Sequence, residues 1–155
     1  MYTTYDCLQR TGTRELNLAG MLFVEAASAS GAVPCPRQGH TLTKIDENNA
    51  ILFGGRTNSR SGSSSGGKRA LLNDVFLLSH LPDAGLVWTE LHPPGDCPSP
   101  RHNHAAIFFN SSVLVFGGAM HDQRYSNELF QLSLCYSPTE NRWTAVWRRS
   151  HPIPE

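Results

Sequence analysis

The chain has 155 residues, a length expected for about one domain. Its 13 Lys and Arg balance 13 Asp and Glu, so bulk charge gives no pull toward nucleic acid or an acidic membrane surface. A hydrophobic fraction of 39% is enough for a globular core, and no apolar run reaches the roughly 18 residues of a membrane span.

Residues 1–33 form a segment of their own. Leu16 to Val24 is apolar, follows Arg10 and Arg14, and precedes A-A-S-A-S, the outline of a secretory leader. Glu15 and Glu25 bracket the run and Asn17 interrupts it, which argues against a leader. The preferred reading is that M-L-F-V-E-A (Met21 to Ala26) is the outer strand of a preceding, partial unit.

From Gly39 onward the pattern is β. H-T-L-T-K-I alternates polar and apolar residues, as a half-buried strand does. Asp46-Glu47-Asn48-Asn49 carries turn chemistry. A-I-L-F-G-G (Ala50 to Gly55) is a short continuous apolar run, expected where both sheet faces are covered. Its glycine pair marks a positive φ or a close backbone approach. The Ser/Gly-rich tract 58–69 has the composition of a flexible loop. N-D-V-F-L-L (Asn73 to Leu78) and L-V-W-T-E-L (Leu86 to Leu91) supply two more strands.

The same order then recurs: P-R-H-N-H-A-A-I-F-F, V-L-V-F-G-G, N-E-L-F-Q-L and N-R-W-T-A-V. Arg37 to Arg101 and His40 to His104 are each 64 residues apart, and Gly54 to Gly117 is 63. Asn73 to Asn127 is 54 and Trp88 to Trp143 is 55, so the first copy carries its extra length in the Ser/Gly tract. Without that insertion the period approaches about 50 residues.

An Arg and a His leading into an apolar strand, a di-glycine closing the next strand and a spaced Trp resemble the kelch repeat. The resemblance covers about Pro34 to Val146 in two copies. It implies an all-β fold of kelch-type β-propeller blades, each a four-stranded antiparallel sheet, here about two to three blades of an incomplete propeller. The expected division is 1–33 as above, a blade at 34–92 with the insertion 58–69, a blade at 93–147 and a tail at 148–155. Trp88 and Trp143 are expected to pack between blades. Two blades do not close a ring, so the chain reads as a segment or short isoform of a larger propeller protein. Self-association through uncovered blade faces is expected.

Catalytic and metal chemistry finds no constellation. Cys7, Cys35, Cys97 and Cys135 form no C-x-x-C, and reduced loop thiols are the favoured reading. His102 and His104 alternate as a metal pair would, but the first copy has Gln38 and His40 there, so only one His recurs. His40 and His104 then read as repeat-defining residues with satisfied ring nitrogens. Arg37 and Arg101 read as ties to loop carbonyls or to a carboxylate, with Asp74 and Glu128 as the recurring acids. No Lys-Ser/Thr follows the di-glycines, and neither H-E-x-x-H nor a nucleophile elbow occurs. No catalytic residue, cofactor or metal is therefore assigned.

The reading is a non-catalytic protein–protein interaction module that takes a protein partner and neither nucleic acid nor membrane. The alternative is an accessory propeller domain of an enzyme, such as a tRNA-modifying methyltransferase, with catalysis on another segment. A cytoplasmic location is expected, with the nucleus as the alternative. With strands lettered A to D in each blade, the B–C and D–A connections share one end of the blades. That end gathers the long, basic loops, and the partner is expected to touch Arg60, Lys68, Arg69, His121 and Arg124.

Overall fold

The structure is a computed structural model and describes residues 29–58, 69–121 and 124–150. The secretory-leader reading, the proposed strand at Met21 to Ala26 and most of the Ser/Gly tract lie outside the described residues. Nine strands are present among those described: β1 (Ser30–Gly31), β2 (Thr41–Lys44), β3 (Asn49–Asn58), β4 (Arg69–Leu81), β5 (Gly85–Leu91), β6 (Ala105–Phe109), β7 (Ser112–Phe116), β8 (Leu129–Ser137) and β9 (Arg142–Arg149). The fold is all-β, as expected.

The strands form two antiparallel meanders. β2-β3-β4-β5 is the first blade, with β1 added in parallel to its outer edge, and β6-β7-β8-β9 is the second. Each meander is a four-stranded antiparallel sheet, as the repeat implies. Local chemistry fixes the turns. Asn110 (φ 50°) and Ser111 (φ 58°) form a two-residue hairpin between the paired Phe109 and Ser112. Positive φ at both positions gives a turn whose twist matches that of the strands it joins. In the first blade the Asp46 carboxylate accepts from the Asn48 amide at 2.8 Å and from the Asn49 side chain at 3.0 Å, closing the β2–β3 turn.

The core lies between the blades. Ile51, Phe53, Val75 and Leu77 of the first blade meet Val113, Val115, Phe130, Leu132 and Trp147 of the second in one cluster. A smaller cluster of Leu52, Phe76 and Trp88 occupies the first blade's other face. The Ile51-Leu52-Phe53 run is thus covered on both sides, as its continuous apolarity predicts. The apolar A-A-I-F-F of β6, the second blade's first strand, is not: Ile107, Phe108 and Phe109 are exposed. No described element packs on the sheet face that Ile107 and Phe109 share.

Trp143, half-buried, packs against the inter-blade cluster as expected, but its expected equivalence with Trp88 is corrected. Trp88 pairs across its hairpin with Leu78, and Trp147 pairs with Leu132. Leu78 and Leu132 hold the same place, since Phe76 and Phe130 two residues earlier lie under the equivalent arginines. Trp147 is therefore the counterpart of Trp88. Its ring is almost fully buried, 5.1 Å from Phe53 of the first blade and 6.5 Å from Phe130 of its own. Trp143 sits farther out on the β8–β9 hairpin, against Tyr136 with ring centroids 5.4 Å apart. The separation from Leu78 to Trp88 is 10 residues and from Leu132 to Trp147 is 15, so this hairpin is five residues longer in the second blade.

Candidate functional site at the loop end of the blades

The recurring polar residues gather at the end of the blades where the B–C and D–A connections lie. Arg101 is fully buried. Its Nε donates to the Ser99 carbonyl at 3.0 Å, Nη1 to the Gly117 carbonyl at 2.9 Å, and Nη2 to Glu128 Oε2 at 3.1 Å. The guanidinium lies 5.0 Å above the Phe130 ring. Arg37 repeats the arrangement: Nε donates to the Cys35 carbonyl at 3.1 Å and Nη1 to the Gly54 carbonyl at 3.2 Å. Its Nη1 and Nη2 grip the two carboxylate oxygens of Asp74 at 2.5 and 2.9 Å, and Phe76 lies beneath at 5.4 Å.

These arginines thus tie the di-glycine and their own lead-in loop to the middle of β4 or to the residue just before β8. A buried guanidinium needs this many acceptors, because an unpaired charge removed from water is costly. The acids foreseen as partners are the ones engaged. Arg149 adds a second cation to Glu128 at 2.6 Å. Burial pushes the Glu128 carboxyl up, but hydrogen bonds from Arg101 and Ser126 and the charges of Arg149 and Arg101 outweigh it and hold the carboxyl below its usual value.

The di-glycines let two backbones meet. Gly55 N–H donates to the Arg101 carbonyl at 2.9 Å, carrying a hydrogen bond from blade to blade. A Cβ on Gly54, at φ 63°, would come within 2.9 Å of that same carbonyl oxygen. Neither space nor backbone angle admits another residue there.

His104 seals the inner end of the same interface. It is buried, its ring lies edge-on to Phe53 at 5.1 Å, and its Nε2 shares a 2.8 Å hydrogen bond with Thr41 Oγ1. Its Nδ1, like that of His40, has no hydrogen-bond partner, so the expected ring satisfaction holds at one nitrogen of His104 only. Burial, then the charges of Arg101, His40 and His102, lower its pKa to about 4. His104 is a neutral wedge between blades at pH 7. Among the described residues no three His, Cys, Asp or Glu side chains are placed to share a metal ion.

The residues expected to meet a partner fall in three groups. Arg60 and Lys68 lie outside the described residues. Arg69 opens β4, where its backbone pairs with Asn58 at the foot of the Ser/Gly tract. His121 and Arg124 are exposed on the second blade's B–C loop, where Met120 N–H donates to the Arg124 carbonyl at 2.8 Å. Ala119 bridges to both His102 and Tyr125, so the base of this loop is held to the D–A connection. Sequence reasoning passed over Tyr125, which is 81% exposed beside Arg124. An aromatic within a polar loop is the signal that would have found it.

Two stacked four-stranded meanders, with a His and a Trp of one buried against a Phe of the other, are blades of a β-propeller. Residues 16–155 match the profile of the KLHDC2/KLHL20/DRC7 Kelch-repeats domain, and the chain belongs to the kelch-repeat family. It is 34% identical to human host cell factor 2 over 131 residues, which is 78% of this chain and 16% of that protein. It is 36% identical to the flagellar outer arm dynein alpha chain of Chlamydomonas reinhardtii over 107 residues, 68% of this chain and 2% of that one. The tRNA wybutosine-synthesizing protein 2/3/4 of Oryza sativa subsp. japonica is 35% identical over 89 residues, 57% of this chain and 7% of that protein. The chain spans a small part of each of these relatives. No helix among the described residues is long and apolar enough to cross a membrane.

Proposed function

We propose that the chain is a non-catalytic protein-interaction module whose partner docks at the loop end of the blades. The observation that carries this reading is how the recurring polar groups are used. Arg37, Arg101, Asp74, Glu128 and His104 are engaged in holding loops and blades together. What remains free to vary on that rigid base is the loops above it, and loops on rigid scaffolds carry binding disproportionately. Arg60, Lys68, Arg69, His121 and Arg124 are the contacts proposed, with Tyr125 as an added aromatic anchor.

The test is cross-linking followed by peptide mapping, with the 155-residue chain as bait. Cross-links from a recovered protein are expected at the B–C loops, and the Lys68→Glu, Arg69→Glu, Arg124→Glu triple variant is expected to lose that protein while remaining folded. Loss on changing the Asn110–Ser111 turn instead, with the triple variant still binding, overturns the assignment.

The second reading, an accessory domain of a tRNA-modifying enzyme, is favoured by the similarity to the wybutosine-synthesizing protein. It predicts methyltransferase activity in the full reading frame of the gene, and removal of the blades should alter substrate affinity rather than methyl-donor binding.

A further inference from the structure

The faces that the two blades turn toward each other are closed at Phe53 and Trp147, whose rings lie 5.1 Å apart. Toward the hairpin tips they diverge. Strand pairing puts Leu77 with Thr89 and Ser79 with Val87 on the first blade's inward face, and Leu134 with Ala145 and Tyr136 with Trp143 on the second's. A groove of about 960 Å³ lies between these walls, a volume within the range of ligand sites.

The Tyr136–Trp143 pair has no counterpart in the first blade. It stands four pairs beyond Leu132–Trp147, whereas the first blade's ladder ends three pairs beyond Leu78–Trp88. Two hydroxyls of the groove are engaged: Ser79 donates to Asn49 Oδ1 and Tyr136 to Asn141 Oδ1, each at 2.6 Å. The Trp143 indole N–H differs, since no described residue accepts from it. Charge is unbalanced as well. Arg142 lies 3.5 Å from Glu140, but no described cation pairs with Asp46 or Glu90, the two carboxylates that line the groove.

We infer that this groove binds a proline-rich, basic segment of another protein in the polyproline II form. Such a segment has no internal hydrogen bonds, so its carbonyls are free to accept from the Trp143 N–H, and its proline rings pack on the faces of Trp143 and Tyr136. A Lys or Arg beside the prolines answers Asp46 and Glu90. The chain's own H-P-I-P-E is a poorer fit. Pro154 reaches at most about 14 Å from Ser150. Trp143 lies seven residues back along β9 from Ser150, about 23 Å. Glu155 also has the wrong sign. The groove is at the hairpin end, so the inference is independent of the partner proposed for the loop end.

The experiment selects a phage-displayed peptide library of the form x-x-x-P-x-x-P-x-x-x on the 155-residue chain, beside a library with alanine at both fixed positions. The most enriched peptide is synthesised with a fluorescent label, and its affinity is read by anisotropy. Trp143→Phe keeps a ring and removes the N–H. Glu90→Lys reverses the charge at an exposed position.

Enrichment is expected from the proline library only, with Lys or Arg flanking the prolines, and each variant should bind the peptide at least about 5-fold more weakly. The Lys68→Glu, Arg69→Glu, Arg124→Glu variant should bind it unchanged. Should either groove variant lose its fold, Thr89→Arg, at an exposed position on the facing wall, takes its place and should block binding. Equal enrichment from the alanine library overturns the inference, as does an affinity indifferent to the groove variants. So does self-association in sedimentation that disappears with Pro152→Ala and Pro154→Ala, since a second copy's tail would then be the occupant.

Discussion

The two blades share one plan and differ in their surroundings. Phe53 and Phe116 close equivalent strands before equivalent glycine pairs, yet one is core and the other surface. Arg37 and Arg101 hold equivalent loops, but Asp74 answers to one arginine and Glu128 to two. The difference teaches that a kelch blade is specified twice. Its polar clamp is internal and is complete in each copy. Its apolar faces are completed only by neighbours, as expected of repeat architectures in which each unit buries its core against the next.

The sharpest way to break the comparison is to remove a clamp. Arg101→Ala leaves the Ser99 and Gly117 carbonyls without their buried donor, while Arg149 still answers Glu128, and should cost about 3 kcal/mol. Arg101→Lys should recover only part of that, because one ammonium cannot reach three acceptors. Urea unfolding at pH 7 reads both, and a loss below about 1 kcal/mol for Arg101→Ala would show the clamp to be dispensable.

The apolar comparison comes next. Phe53→Ala should cost about 3–5 kcal/mol, since the cavity opens beneath Trp147 and His104. Phe116→Ala should cost under about 1 kcal/mol in the 155-residue chain, because its ring is half in water already. Equal losses on thermal denaturation would mean that the two faces are not in different states.

A third prediction uses acid. The His104 pKa is lowered from 6.5 to about 4 in the folded chain, so unfolding takes up a proton between those values. Stability is fully present above about pH 6.5 and is lost as pH falls toward 4, by up to about 3 kcal/mol. Glu128, held below its usual value, adds a loss in the same direction at lower pH. His104→Gln should flatten the upper part of this dependence, and an unchanged slope between pH 6.5 and 4.5 would assign it to other groups. The smallest effect is expected from Thr41→Val, which removes the hydroxyl facing His104 Nε2 and should cost about 1 kcal/mol, detectable as a lowered midpoint in the same unfolding series.

Much of this was legible in the sequence, and what was legible follows from local constraint. Every glycine of the two pairs has a positive φ that other residues rarely adopt, so their spacing reports register directly. The Arg and its acid recur because a buried guanidinium must be answered, and the acid follows an Asn at the same place in both copies. The Trp was misread. Trp143 and Trp147 each stand near the right distance from the preceding motif, and nothing local says which is core. That choice is made by the five-residue longer β8–β9 hairpin, a property of strand pairing rather than of composition. The exposure of β6 was equally hidden, since A-A-I-F-F carries the apolar content of a covered strand and only the neighbour decides.

The short bridges at the outer edges carry a last consequence. Before each blade the chain runs alongside that blade's own final strand: Ala32 N–H donates to the Trp88 carbonyl at 2.9 Å, and Trp147 N–H donates to the Pro94 carbonyl at 2.8 Å. Gly31 and Gly95 make the approach possible, because a Cβ on either would overlap the tryptophan carbonyl oxygen. An outer strand otherwise offers a row of open backbone groups to any extended segment that passes, the usual starting point for edge-to-edge aggregation. Here the polypeptide occupies part of that row itself, so each blade arrives with its own guard against misassembly.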